Sequence, residues 1–408
     1  MNEGKRMDRR QFLKSTSSLS LPAMATTVRG HRILEPNIKT VTLGRTGMVV
    51  SNIGYGTSRG NLDPSIILYA VDKGINYFDT SEGYGRGGAE RNLGRAVKGI
   101  RSQVHLTTKV GSVNAAGRIT RSTSKAEILA RARASLERLD TPYLDCLFIH
   151  NAGDPDLGGF DNPHLHEAVR ELKTEGRVKY FGLSCHHHNL IDVAKHAAAS
   201  NRVDAMLLAY SFFQRKGAPE DWLDQFDAVL SLAKAKNIGI TVMKTLQGAQ
   251  GSGAVLKDIE QWEGKKAAAK WALRRPNVDV AVLSLSSTTE IDEMVGISGE
   301  TMSVRDWDVL SRLSGEYPGI CPVGCPAPCL GKCPASVAIP DVLRMDMYFS
   351  SYGWEKEAML EYDTLAPERT ATSCTSCRET RCAKGCSYGL DVKACLLKAH
   401  RDLTFDLV

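Results

Sequence analysis

From residue 39 onward, short β-branched or apolar runs alternate with longer amphipathic stretches, and the alternation repeats eight times. The runs are Ile53–Tyr55, Ile75–Phe78, Val104–Thr108, Leu144–Ile149, Val178–Leu183, Ala205–Leu208, Ile238–Val242 and Val278–Leu283. Between them lie stretches of helical periodicity, such as Lys125–Leu139 and Pro163–Thr174. A strand that returns after a helix must pair in parallel, because only a crossover connection brings the chain back in the same direction. Eight such units predict an α/β fold, a closed (β/α)8 barrel, which takes about 250 residues. Ahead of the first unit, Thr40–Leu43 and Met48–Ser51 flank Gly44-Arg45-Thr46-Gly47 and read as a hairpin plugging the bottom of the barrel. The Gly-rich Gln247–Gly253 reads as a loop.

The chain has 408 residues, enough for the barrel at residues 39–315 and a second unit at 320–408. A break in composition marks the boundary, since eight of the eleven cysteines fall between Cys321 and Cys386 while the barrel region holds only Cys146 and Cys185. The net charge of +6 is small and its basic residues are dispersed, which argues against nucleic-acid binding. No apolar stretch approaches the roughly 18 residues that suggest a membrane-spanning helix.

Four ionisable residues follow candidate strands: Asp79 and nearby Tyr84 after the second, Lys109 after the third and His150 after the fourth. In barrels of this kind the C-terminal strand ends carry the functional groups. Carbonyl reduction needs a proton at oxygen as hydride reaches carbon, and a tyrosine with a pKa near 10 needs help to exchange it. A cationic Lys109 is expected to lower the Tyr84 pKa, with Asp79 holding the ammonium and His150 orienting the substrate oxygen. A buried salt bridge with a neighbouring tyrosine and histidine would use the same residues.

The segment Gly74-Ile75-Asn76-Tyr77-Phe78-Asp79-Thr80-Ser81-Glu82-Gly83-Tyr84-Gly85, with Glu90 and Leu93-Gly94 beyond it, resembles the aldo/keto reductase signature. The resemblance implies an oxidoreductase in which Tyr84 is the general acid/base, supported by Asp79, Lys109 and His150. It implies a carbonyl or alcohol substrate and NAD(P)H. Gly176–Ser184 resembles the family strand whose terminal Ser-Asn pair holds the nicotinamide carboxamide, with Cys185 replacing the Asn. Leu207 stands where the family usually has Gln, and Met243 where an aromatic commonly stacks on the nicotinamide. Ser284, Ser286 and Ser287 fall where the family binds adenosine phosphates, and Lys244 is a further candidate phosphate contact. Glu290 aligns with a frequent phosphate-binding arginine, and its charge is expected to repel a 2′-phosphate and favour NADH. His186-His187-His188 reads as a substrate loop, because consecutive residues rarely converge on one ion.

Cys321, Cys325, Cys329 and Cys333 form one quartet, followed by Pro334; Cys374, Cys377, Cys382 and Cys386 form a second. The pair resembles the bacterial two-cluster ferredoxin, in which the fourth cysteine of each run ligates the other cluster. Two 4Fe–4S clusters in a small α-helical domain are therefore expected. Both runs depart from the strict ferredoxin spacing, and two zinc sites of four thiolates each, or four disulfides, remain open as alternatives. Ile339–Arg344 and Tyr348–Gly353 resemble linkers of aldo/keto reductase–ferredoxin fusions, and Cys395 reads as a free core thiol.

Arg9-Arg10 before Phe12-Leu13-Lys14, then a mild apolar run and Ala23-Met24-Ala25, resemble a twin-arginine export signal within residues 1–30. A periplasmic location follows from it, and a cytoplasmic one if the segment is only a disordered basic tail. Clusters receiving electrons singly from a hydride reaction would need an intermediary, such as a flavin or a redox partner protein. The other function class is a redox-sensing or regulatory barrel with structural clusters.

Overall fold

Strands β1 (Thr40–Thr42) and β2 (Val49–Ser51) form an antiparallel hairpin ahead of the barrel. Gly44, at its turn, has φ +47°, and a Cβ there would lie 2.3 Å from the Gly239 nitrogen. Leu43, Met48 and Val50 project into an inner apolar cluster with Tyr77, Phe148, Leu207 and Val280, so the hairpin closes the N-terminal end of the strands as expected.

The barrel strands are β3 (Ile53–Gly56), β4 (Tyr77–Asp79), β5 (His105–Val110), β6 (Leu144–Ile149), β7 (Val178–Cys185), β8 (Ala205–Ala209), β9 (Gly239–Met243) and β10 (Val280–Ser284). All pair in parallel in chain order, and β10 closes the barrel by pairing with β3 at Leu283 opposite Tyr55. The second strand begins two residues later than its apolar run suggests. Ile75 N–H donates to the Ala70 carbonyl and Asn76 Oδ1 accepts from Ser51, so both residues close the preceding turn. The third strand runs past its apolar run, and Lys109 consequently lies within it rather than after it.

Helices α1 (Pro64–Asp72), α2 (Gly88–Val97), α3 (Lys125–Arg138), α4 (Pro163–Thr174), α5 (Leu190–Ser200), α6 (Trp222–Ala235), α7 (Glu263–Leu273), α8 (Thr288–Gly296) and α9 (Val304–Glu316) pack outside the strands. Asp63, Ser124, Asn162 and Ser287 each accept a first-turn N–H at the start of α1, α3, α4 and α8, which satisfies donors a helix start leaves open. The main core lies between this helical layer and the barrel wall.

The cysteine-rich region is helical, with α10 (Ile339–Tyr352), α11 (Glu355–Asp363), the short α12 (Arg381–Lys384) and α13 (Val392–Leu403). The two segments read as linkers fall on α10 and its Gly353 cap. Val337, Ile339, Val342, Ala358 and Leu396 give the region its own core, yet residues 36–408 form one compact unit. The computed structural model describes residues 38–58, 63–111, 117–153, 157–212, 221–245, 262–316, 321 and 325–404. The export-signal segment and Gln247–Gly253 lie outside them. Among the described residues no helix is long and apolar enough to cross a membrane.

Candidate active site

Asp79 ends β4 and Lys109 points inward from β5, which brings the Lys109 Nζ to 2.5 Å from Asp79 Oδ2. The ammonium also donates to the Thr80 carbonyl at 2.7 Å, and Thr107 Oγ1 donates to the other Asp79 oxygen at 3.1 Å. Lys109 has no solvent exposure. Burial pushes the Asp79 carboxyl up and the Lys109 ammonium down, while each partner's charge opposes its neighbour's shift.

Tyr84 starts the turn after β4, with its ring centroid 5.1 Å from Lys109 Nζ and 5.9 Å from the His150 ring. The expected lowering of its pKa does not occur. Burial, with the Asp79 carboxylate adding to it, holds the phenol well above 10, and the Lys109 charge is spent on Asp79 and the Thr80 carbonyl. Tyr84 is therefore a protonated donor in this state.

His150 follows β6 directly and is buried, and that burial, assisted by Lys109, holds its pKa well below 6.5. Its Nδ1 lies 3.0 Å from the Gly111 carbonyl and 3.1 Å from Ser81 Oγ. A carbonyl only accepts, so the proton of this neutral ring belongs on Nδ1, and Nε2 is left as an acceptor. Rather than donating to a substrate carbonyl, His150 can accept from an alcohol.

Of the residues singled out in the sequence, Tyr84, Asp79, His150, Met243, Lys244 and Ser284 line one cavity of about 380 Å³ at the C-terminal strand ends, and Lys109, Ser184, Cys185, Ser286 and Ser287 are not among its lining residues. Ser184 projects inward on β7, whereas Cys185, one residue on, turns into the layer between strands and helices. The successive side chains of a strand face opposite ways, so the Cys185 thiol does not occupy the lost Asn's place. Ser286 donates from backbone N and Oγ to Glu290, and Ser287 Oγ accepts from the Glu290 N–H, which commits both to the start of α8. Glu290 is buried against Lys265 and lacks the exposed charge expected of it. Lys244 Nζ lies 3.2 Å from the Tyr348 hydroxyl and does not stand clear as a phosphate contact.

The same cavity is lined by His186, from the segment read as a substrate loop, and by residues that sequence reasoning missed: Ser58, Lys265, Tyr348, Trp354, Glu357 and Glu361. Ser58 Oγ meets Ser284 Oγ at 2.6 Å, and His186 brings its loop into the pocket wall. The last four come from α10, α11 and the turn between them, so the cysteine-rich region roofs the barrel mouth. Asp341 of α10, held 2.8 Å from Arg344 of the same helix, reaches the barrel at His187, 3.7 Å away.

None of the eleven cysteines is joined in a disulfide. Among the described residues no three His, Cys, Asp or Glu side chains converge closely enough to hold one metal ion. The thiols nonetheless fall into two neighbourhoods. Burial raises the Cys321 pKa, and Cys325, Cys329 and Cys386 raise it further. Burial likewise takes Cys374 to about 11, with Cys333, Cys377 and Cys382 adding to it.

A model of the aldo/keto reductase family matches residues 52–267, more than half of the chain. The uncharacterized oxidoreductase YqkF of Bacillus subtilis (strain 168) is 32% identical over 187 residues, 44% of this chain and 58% of that protein. Methylglyoxal reductase YeaE of Escherichia coli (strain K12) is 29% identical over 144 residues, 35% of this chain and 46% of YeaE. This chain thus spans about half the length of these relatives. The holo form of aldo-keto reductase AKR11C1 from Bacillus halodurans shares the fold, with a TM-score of 0.51 at 24% identity, covering 68% of this chain and 96% of that one. With the matched region spanning β3 to α7 and the strand-end residues in the family's order, this chain belongs to the aldo/keto reductase family of oxidoreductases.

Proposed function

We propose that the protein exchanges hydride between a nicotinamide cofactor and a carbonyl or alcohol substrate, with Tyr84 as general acid/base. The observation that carries this reading is Tyr84 in the cavity, its ring 5.9 Å from that of His150 and 5.1 Å from the ammonium of the buried Asp79–Lys109 pair. In the reducing direction Tyr84 donates its proton to the developing alkoxide, and in the oxidising direction the Tyr84 phenolate takes that proton back from the alcohol, whose oxygen His150 lies beside. The Lys109 ammonium, paired with Asp79 and 5.1 Å from the Tyr84 ring centroid, positions the ring.

The residues present fit a nicotinamide, which supplies the hydride when bound. Ser184 Oγ and both amide atoms of Asn151 are buried without hydrogen-bond partners, and the Ala152 N–H donates to the Ser184 carbonyl at 2.9 Å, joining the two segments. A primary carboxamide offers the donors and acceptor these groups lack. Ser184 and Asn151 would hold it, with Met243 against the ring and Ser284 toward the phosphates. Lys265 is balanced by Glu290, so this corner adds no net positive charge for a 2′-phosphate, and NADH remains the preferred form.

We also assign one 4Fe–4S cluster to Cys321, Cys325, Cys329 and Cys386 and another to Cys333, Cys374, Cys377 and Cys382. The two electrostatic neighbourhoods support this, with the last cysteine of the first run exchanged for the last of the second. A four-iron cube is wider than one ion, so its thiols need not converge on a point. Two one-electron centres match a hydride in electron number. Export through the twin-arginine pathway, which carries folded proteins, fits a chain loaded with clusters before it crosses.

The test is anaerobic titration with NADH and then NADPH, following nicotinamide oxidation and the visible absorption of iron–sulfur together. Bleaching by NADH joins barrel and roof in one electron path. Iron without binding or oxidation of either nucleotide sinks the nicotinamide reading and favours a regulatory barrel.

A further inference from the structure

Two groups of different capability touch Nδ1 of His150. The Gly111 carbonyl, 3.0 Å away, only accepts, whereas the Ser81 hydroxyl, 3.1 Å away, donates or accepts. The proton of the neutral ring therefore follows the Gly111 carbonyl. While that oxygen stays in place, Nδ1 is protonated and Nε2 accepts; without it, Ser81 can donate to Nδ1 and the proton moves to Nε2. Whatever holds Gly111 thus selects the nitrogen that His150 presents to the cavity.

Gly111 turns the chain at the end of β5 with φ +93°, and a Cβ there would lie 3.3 Å from Ile119 Cγ1. Glycine reaches such a corner easily and leaves it as easily, so the carbonyl needs an outside anchor. Glu82 supplies one. Its Oε1 accepts the Gly111 N–H at 2.8 Å, and the Arg131 guanidinium of α3 braces the carboxylate, with Nε 3.0 Å from Oε1 and 3.3 Å from Oε2. Arg131 Nη2 also bonds Oε1 and donates to the Gly117 carbonyl at 2.7 Å, so the brace grips the chain at Gly111 and again at Gly117. Glu127, 3.5 Å from Nη1, is the more distant partner of the same guanidinium. Neither Glu82 nor Arg131 is among the residues lining the cavity, and their path to the chemistry runs through Gly111 and His150.

We propose that Glu82, braced by Arg131, is a positioning residue that fixes the tautomer of His150 through Gly111, keeping Nδ1 protonated so that Nε2 accepts from the hydroxyl of an alcohol in the cavity. A plain structural ion pair would hold the loop without selecting a nitrogen, and that difference is measurable. The proposal rests on the oxidoreductase reading for its effect on turnover, while the tautomer is read without turnover.

Full-length protein labelled with 15N-histidine and purified anaerobically is followed by two-bond 15N–1H correlation spectra at about pH 8, where the ring is neutral, with His150→Gln identifying the His150 signals. Wild type and Glu82→Gln, whose amide oxygen still accepts from Gly111, are expected to carry the proton on Nδ1. Glu82→Ala is expected to move it to Nε2, and Arg131→Gln, which leaves the carboxylate unbraced, to move part of it. Ser81→Ala is expected to leave it on Nδ1. With NAD+ and 4-nitrobenzyl alcohol as probe, E82A should lose about tenfold in kcat/KM at unchanged KM for NAD+, and E82Q should stay within about threefold of wild type, the scale of one hydrogen bond. Far-UV circular dichroism verifies folding, and R131Q decides the matter should E82A not fold. A wild-type ring protonated on Nε2, a proton that stays on Nδ1 in E82A, or turnover that E82A leaves unchanged despite a moved proton overturns the proposal. A moved proton in E82A with no turnover by any form of the protein upholds the tautomer assignment and sinks the oxidoreductase reading; turnover with an unmoved proton does the reverse.

Discussion

Asp79 and Lys109 share one buried ion pair, so removing either partner strands the other charge. Lys109→Met is expected to cost about 3–5 kcal/mol in urea unfolding, since an uncompensated buried carboxylate is the penalised state. Tyr84→Phe removes only a hydroxyl, and should lower kcat/KM by about 10²–10⁴-fold with an unchanged melting temperature. The shifts of Tyr84 and His150 point in opposite directions, and both move away from neutrality of the medium. Tyr84 stays protonated below its raised pKa and His150 stays neutral above its depressed one, so kcat/KM for reduction should be flat between about pH 7 and 9. A steep limb in that range would mean that ligand binding moves one of these values. The positions of Asp79, Lys109 and His150 were legible because each stands at a strand end, where period-two alternation and barrel geometry fix its direction. The same parity should have removed Cys185 from the pocket, since it is adjacent to inward-facing Ser184. Nothing in the sequence pairs Glu290 with Lys265 across 25 positions, so its charge read as exposed.

At the scale of elements, the hairpin is held by a contact that no side chain makes. Gly44 combines positive φ with backbone atoms of Asn237, Ile238 and Gly239 inside 3 Å of its missing Cβ. Gly44→Ala should destabilise by about 2 kcal/mol or more, measured by denaturant unfolding, with kcat of the folded fraction retained because the cavity lies at the opposite strand ends. The eight strands were readable to within a few residues because each is a short apolar run. The ends moved where local hydrogen bonding intervened, as at Ile75 and Asn76. Helix α10 was taken for a linker because its sequence lies between two cysteine runs that dominate the composition, although its apolar residues build the roof's core.

For the molecule as a whole, the roof and the barrel share one cavity, tied by Asp341 to His187 and by Tyr348 to Lys244. With the proposed clusters in the roof, removing iron by chelation should reach the active site. The stripped protein is expected to lose helical circular dichroism from the roof and to bind substrate more weakly, with KM rising more than kcat falls. Sequence reasoning located both units but not their shared wall, since Glu361 lines the cavity only once α11 lies over the barrel mouth. The grouping of Cys386 with the first cysteine run and Cys333 with the second has a bearing on synthesis. Neither foursome is whole until the ribosome has passed residue 382, and the first waits for residue 386. A message cut short ahead of those codons therefore yields a barrel whose remaining tail thiols lack the partners that would complete either foursome.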